Sequence, residues 1–172
     1  MSRRLVSPWP GPVEFSADKV YRYRLERCEP VSEPRAGRGG TVTFVMLNPS
    51  VADNWRDDPT VHRCLGYAMA WGAGRLVVVN LFALVSTDPA ALRTHRDPVG
   101  PENDEAIDRA VREADTVVCA WGVHGALRGR AADVLARIPR PMALGITKGG
   151  EPKHPLYLRG GLRPMPYVRR TP

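Results

Sequence analysis

The chain has no apolar run long enough to cross a bilayer, no paired cysteines and almost no lysine. The first absence excludes a membrane-spanning helix, which needs about 20 consecutive apolar residues. Cys28, Cys64 and Cys119 are odd in number and far apart, and none falls in a C-x-x-C pair or a Cys/His ligand spacing. That pattern argues against zinc and iron–sulfur sites and predicts three reduced, mostly buried thiols. No metal and no cofactor is expected. Pro8 and Pro10 interrupt the stretch after Arg3 and Arg4, so the first residues do not read as a signal peptide. A cytoplasmic setting without a membrane partner is the expectation.

The 172 residues suffice for one domain with a real core, and 43% hydrophobic with 25% charged residues is ordinary globular composition. The net charge of +7 is carried almost entirely by arginine. A guanidinium fork suits phosphate, so nucleic acid or a nucleotide is a compatible partner. The positive charge is nevertheless scattered, and an Arg-, Ala-, Gly- and Pro-rich composition also follows from GC-rich coding. The charge permits such a partner without requiring one.

Residues 1–18 carry three prolines and little periodicity, which predicts an irregular arm ahead of one α/β domain over 19–172. From Val20 to Cys28 apolar and charged residues alternate, as in a half-exposed strand. Pro30 to Gly40 reads as a loop. The run Thr41 to Leu47 is apolar and β-branched, the pattern of a strand buried on both faces, and Asn48-Pro49 stops it. Asp58-Pro59 opens a helix that runs to Gly72 or Gly74. Further buried strands follow at Leu76–Val79, Thr116–Ala120 and Pro141–Ile146, with helices from Asn103 and over Ala126–Ile138. Strands alternating with helices predict a three-layer α/β sandwich around a mainly parallel central sheet.

In such sheets ligands bind beyond the carboxyl ends of the strands. Those ends carry Asn48-Pro49-Ser50, Asn80-Leu81-Phe82, Trp121-Gly122 with His124, and a loop from Lys148 through Gly149-Gly150 to Lys153-His154. Each has a plain alternative. Asn48 before proline is a common turn former. Asn80, after three valines, needs hydrogen-bond partners that either a ligand or a backbone cap supplies. Gly149-Gly150 between two lysines is a weak phosphate signal with no Walker pattern. Asp53 and Asp57 are open to catalysis, to sugar hydroxyls or to solvent, whereas Asp58 reads as the helix cap. Ser50 has no G-x-S-x-G elbow, so a hydrolase triad is rejected.

The segments Met46-Leu-Asn-Pro-Ser50-x-Ala-Asp53, Asp57-Asp-Pro-Thr60, Val79-Asn-Leu-Phe-Ala83, Asp97-Pro-Val-Gly100, Asn103-Asp104, Ala120-Trp-Gly122 and His154-Pro-Leu-Tyr157 resemble a bacterial domain-of-unknown-function family, number 1643. The order of motifs is also similar, more distantly, to the uracil-DNA glycosylase superfamily. Members of that superfamily carry Asn-Pro-Gly after the first core strand, a strand ending in a base-reading Asn, a strand ending near Trp-Gly, and a final His-Pro. Ser50 stands here where the superfamily has Gly, and Leu156-Tyr157 departs from its small-residue loop.

The resemblance implies hydrolysis of an N-glycosidic bond to a nucleobase, in DNA, RNA or a nucleoside or nucleotide. It assigns His154 to the departing base, Asn80 to the base edge and Asn48 to the attacking water. Asp53 joins these as a catalytic candidate. Phe82 or Trp55 would stack on the base, and Pro49, Ser50, Trp121 and Lys148 would complete the binding surface. Leu156 or Tyr157 would be the wedge if a base had to be flipped from a duplex. The alternatives are a non-catalytic module binding a nucleotide or nucleic acid, and a metal hydrolase built on Asp53 and Asp57.

Overall fold

The computed structural model describes residues 5–30 and 39–169. Most of the loop expected over Pro30–Gly40, and the first four residues of the expected arm, lie outside that range. The fold is mixed α/β. Its main sheet has seven strands, in the order β2 (Val13–Phe15), β3 (Arg22–Cys28), β6 (Arg75–Asn80), β4 (Thr41–Met46), β7 (Thr116–Cys119), β8 (Pro141–Ala143) and β9 (Met165–Pro166). A second, two-stranded sheet joins β1 (Leu5–Val6) to β5 (Arg56–Asp57).

The four strands β6, β4, β7 and β8 run parallel, as their continuous apolar sequences suggested. The flanking strands β2, β3 and β9 are antiparallel to their neighbours, so the whole sheet is mixed rather than mainly parallel. Side chains alternate strictly along the central strands. Val42, Phe44 and Met46 join Leu76 and Val78 in one cluster with Val61, Leu65 and Ala68 of α1 (Pro59–Ala70). Val45, Val77, Val79 and Val117 point the other way, onto Ile107 and Ala110 of α3 (Asn103–Glu113) and Ala131 and Val134 of α4 (Arg130–Leu135). Helices thus pack on both faces. A short helix, α2 (Ala91–Thr94), lies in the proline-rich connection and inserts Leu92 into the second cluster.

Several boundaries differ from expectation for local reasons. Part of the 1–18 stretch is not irregular: Val13–Phe15 pairs with β3, and Leu5–Val6 pairs with β5. The helix expected over Ala126–Ile138 is a 3-10 turn, Val123–Gly129, followed by α4. Leu127, at φ −54° and ψ 128°, and Arg128, at φ 55°, break the helical path between them. The strand expected over Pro141–Ile146 ends at Ala143. Cys64 and Cys119 are buried and Cys28 half-buried, all as free thiols. No helix among the described residues is long and apolar enough to cross a membrane.

The largest departure is β3, whose alternating charges suggested an exposed face. Arg22, Arg24 and Arg27 are instead buried. Arg27 is fully enclosed, with Nε donating to Asp57 Oδ1 at 2.8 Å, Nη1 to the Glu26 carbonyl, and Nη2 to the carbonyls of Asp53 and Arg56. Arg22 Nη1 donates to the Ala52 carbonyl at 2.9 Å. Two buried guanidiniums therefore clamp the long connection between β4 and α1 onto the sheet. Removing one partner of such a pair strands a buried charge, whereas removing both restores an apolar contact. Arg27→Met is expected to lower the unfolding free energy by about 3–5 kcal/mol, and adding Asp57→Leu to recover most of it. Urea titration of the two variants checks this; an equal loss in the double variant would count against the pair.

Candidate functional site

The carboxyl ends of β4, β6 and β7 open on a cleft of about 610 Å³. Asn48, Ser50, Asn80, Trp121 and His154 all line it, brought together from four separate stretches of chain. Pro49, Asp53, Trp55, Phe82 and Lys148 do not. Phe82, expected to stack on a base, has no exposed surface and belongs to the core beneath α3 and α4. Trp55 is largely exposed on the connection, and Lys148 is exposed in a turn. Pro49 is buried, its carbonyl accepting from Ser86 N.

The two acidic candidates of the connection have structural work. Asp53 Oδ1 accepts the amides of Trp55 and Arg56 at 3.0 and 2.9 Å, which shapes the turn. Asp57 is the buried partner of Arg27. Among the described residues no three His, Cys, Asp or Glu side chains form a group that could hold a metal ion.

Asn48 is oriented by its surroundings. Its Nδ2 donates to the carbonyls of Pro49 and Ser86 at 3.2 and 2.9 Å. Both neighbours are acceptors, so the amide nitrogen must face them and Oδ1 is left to accept. Asn80 is 1% exposed, and its Nδ2 has no partner. Its backbone is pinned from behind: Asn103 Nδ2 donates to the Asn80 and Leu81 carbonyls at 3.0 and 3.1 Å, and Arg130 Nε to Leu81 at 2.8 Å. An unpaired buried amide costs about 1–3 kcal/mol, so a rigidly held one in a cleft points to a ligand.

Trp121 forms a fixed wall. Its Nε1 donates to Glu151 Oε2 at 2.7 Å, Arg169 holds the other Glu151 oxygen, and Tyr167 stands edge-on at 6.1 Å. Gly125 lies so close that a Cβ there would sit 2.0 Å from Trp121 Cδ1. Gly122, at φ 75°, turns the chain in a conformation that favours glycine.

His154 Nδ1 accepts weakly from Leu156 N, at 3.4 Å, which puts the ring proton on Nε2. Burial pushes the imidazole below its ordinary value, partly offset by the Asp58 carboxylate. The residue is therefore a neutral donor at physiological pH.

The cleft also contains residues whose patterns suggested other roles. Asp58 caps α1, accepting Val61 N at 2.8 Å, and lines the cleft as well. Arg22, from the strand that read as half-exposed, reaches the cleft with 2% exposure and an unpartnered Nε. Burial lowers its value to about 10, against the attraction of Asp58, so it stays charged at neutral pH. Lys153 and Tyr157 line the mouth, and Tyr157 is 83% exposed. No sequence signal marked Arg22; that its strand neighbours the Asn80 strand emerges only from the fold.

Fold and cleft define a mixed α/β protein with a cleft, lined in part by polar side chains, at its parallel strand ends. The chain belongs to the family described as "protein of unknown function (DUF1643)", whose model matches residues 22–156. Searches of curated proteins and of solved structures found no match.

Two measurements test the geometry. Because the folded state holds His154 below its unfolded value, its contribution to stability is full above the unfolded pKa of about 6.5. It is lost as pH falls below that value toward the folded one. NMR titration is expected to give a His154 midpoint below the ordinary value. Asp58→Asn, which keeps the cap, should lower the midpoint further. Gly125→Ala is expected to destabilise the fold by about 1–3 kcal/mol in chemical unfolding and to shift the Trp121 fluorescence.

Proposed function

We propose that the protein hydrolyses an N-glycosidic bond to a nucleobase, on a three-layer frame resembling the uracil-DNA glycosylase superfamily. The observation that carries this reading is that Asn48, Asn80 and His154 share one cleft, with the Asn80 amide buried, rigid and unpaired. A parallel block of strands with helices packed on both faces is consistent with the same likeness.

The roles follow from the chemistry of each group. Asn80 pairs with the polar edge of the base, and a base lacking that edge leaves the amide buried and unsatisfied. His154 Nε2–H donates to a base oxygen, where negative charge collects as the bond breaks. Asn48 Oδ1 accepts from a water that adds to the anomeric carbon. The electron pair of the C–N bond leaves with the base, and the proton lost by the water neutralises the base anion. Tyr157, exposed at the mouth with its ring 5.6 Å from His154, replaces Phe82 and Trp55 as the aromatic available to stack or wedge.

The test is to incubate the protein with nucleosides, nucleotides and base-modified oligonucleotides and to measure free base by mass spectrometry. Release of a base is expected from at least one class. Asn48→Ala and His154→Ala should each lower kcat by about 10²–10⁴-fold, with much smaller changes in binding. Binding without release from any substrate would favour a non-catalytic nucleotide-binding module.

A further inference from the structure

Four arginines are buried among the described residues, and three of them have a carboxylate within ion-pair distance. Arg24 pairs with Glu26 and Glu113, Arg27 with Asp57, and Arg130 with Asp104. Arg22 is the exception. It is 2% exposed, its Nη1 donates to the Ala52 carbonyl, and its Nε donates to nothing. Asp58 attracts it from a greater distance, but Asp58 Oδ1 is committed to the amide of Val61. A buried cation with no carboxylate in direct contact is costly, by several kcal/mol, and this one lines the cleft.

The strand pairing places a second unsatisfied donor beside it. Leu25 is opposite Val78, and Arg22 N donates to the Ala83 carbonyl, so Arg22 lies abreast of the segment that begins at Asn80. Both side chains line the same cleft, and both present buried N–H groups that no protein atom accepts. Two unpartnered donors from residues that line one cleft, one of them charged, match an oxyanion better than a neutral edge.

We propose that Arg22 and Asn80 form an oxyanion subsite, so that the substrate carries a negatively charged oxygen group into the cleft. This rests on the base-binding reading of Asn80. It narrows the ligand to one of two sources, an anionic nucleobase or the phosphate of a nucleotide. A neutral base held only by its carbonyl would leave Arg22 with no counter-charge nearer than Asp58.

Calorimetry with orotate, inorganic phosphate, ribose 5-phosphate and uracil separates the sources. Orotate binding well above uracil assigns the subsite to the base; phosphate and ribose 5-phosphate binding assigns it to a nucleotide phosphate. Arg22→Gln is expected to weaken the preferred anion at least about tenfold. Asn80→Asp guards against a variant that merely unfolds. It places a carboxylate of the same shape beside Arg22, so the thermal midpoint should hold or rise while anion binding is lost. A fall in the midpoint would mean that no cation waits there, and would overturn the proposal. So would failure of all three anions to bind, or equal binding by wild type and Arg22→Gln. Turnover of neutral nucleosides unaffected by Arg22→Gln would leave the glycosidic reading standing without the subsite. Anion binding lost in both variants, with no base released from any substrate, would do the reverse.

Discussion

The ion pair between Arg27 and Asp57 fixes the connection on which the candidate site depends. Asn48 and Ser50 stand at the start of that connection, and Asp58 at its end. Between them the chain would be a loop of ten or so residues with few apolar side chains, and loops of that kind are ordinarily mobile. Arg27 converts it into part of the sheet's framework by taking up Asp57 and the carbonyls of Asp53 and Arg56 at once. β1 closes the arrangement from outside by pairing with β5. The cleft wall is thus held by charge and main-chain hydrogen bonding where hydrophobic packing is scarce.

The opposite wall is held differently. Asn103 and Arg130 grip the backbone just after β6, and Glu151 fixes the indole of Trp121. Asn80 and Trp121, which face the cleft, are therefore positioned by residues that do not. Such pre-organisation is what differential binding of a transition state requires, because donors held in place need not reorganise as charge develops. The unsatisfied amide of Asn80 and the unpaired guanidinium of Arg22 are tolerated because their surroundings hold them there.

Much of the frame was legible from the chain. The runs at Thr41–Leu47, Leu76–Val79 and Thr116–Ala120 have the apolar continuity that only a doubly covered strand requires, and Asp58-Pro59 marks a helix start through local rules alone. The convergence of Asn48, Asn80, Trp121 and His154 followed from the same logic, since parallel strands present their ends on one side. What was hidden depends on contacts distant in sequence. Arginines alternating with other residues along a strand look solvated until Ala52 and Asp57, about thirty residues away, accept from Arg22 and Arg27 respectively. Phe82 carries the same letter whether it faces a ligand or the core; it lies past the end of β6, where strand alternation stops, and packs into the core. Asp58 satisfied one role so well that a second, facing the cleft, left no trace in the pattern.

The clamp on the connection has a consequence for how such a protein changes over time. Arg22 and Arg27 hold it mainly by main-chain carbonyls, those of Ala52, Asp53 and Arg56, and only Asp57 contributes a side chain. Carbonyls are supplied by every amino acid. Apart from Ala52, Asp53 and Asp57, side chains along the connection are consequently free to drift, and with them the chemistry offered at the rim, while the path of the backbone stays put. One frame can in this way be retuned for new ligands by substitutions that leave the fold's own fastening untouched.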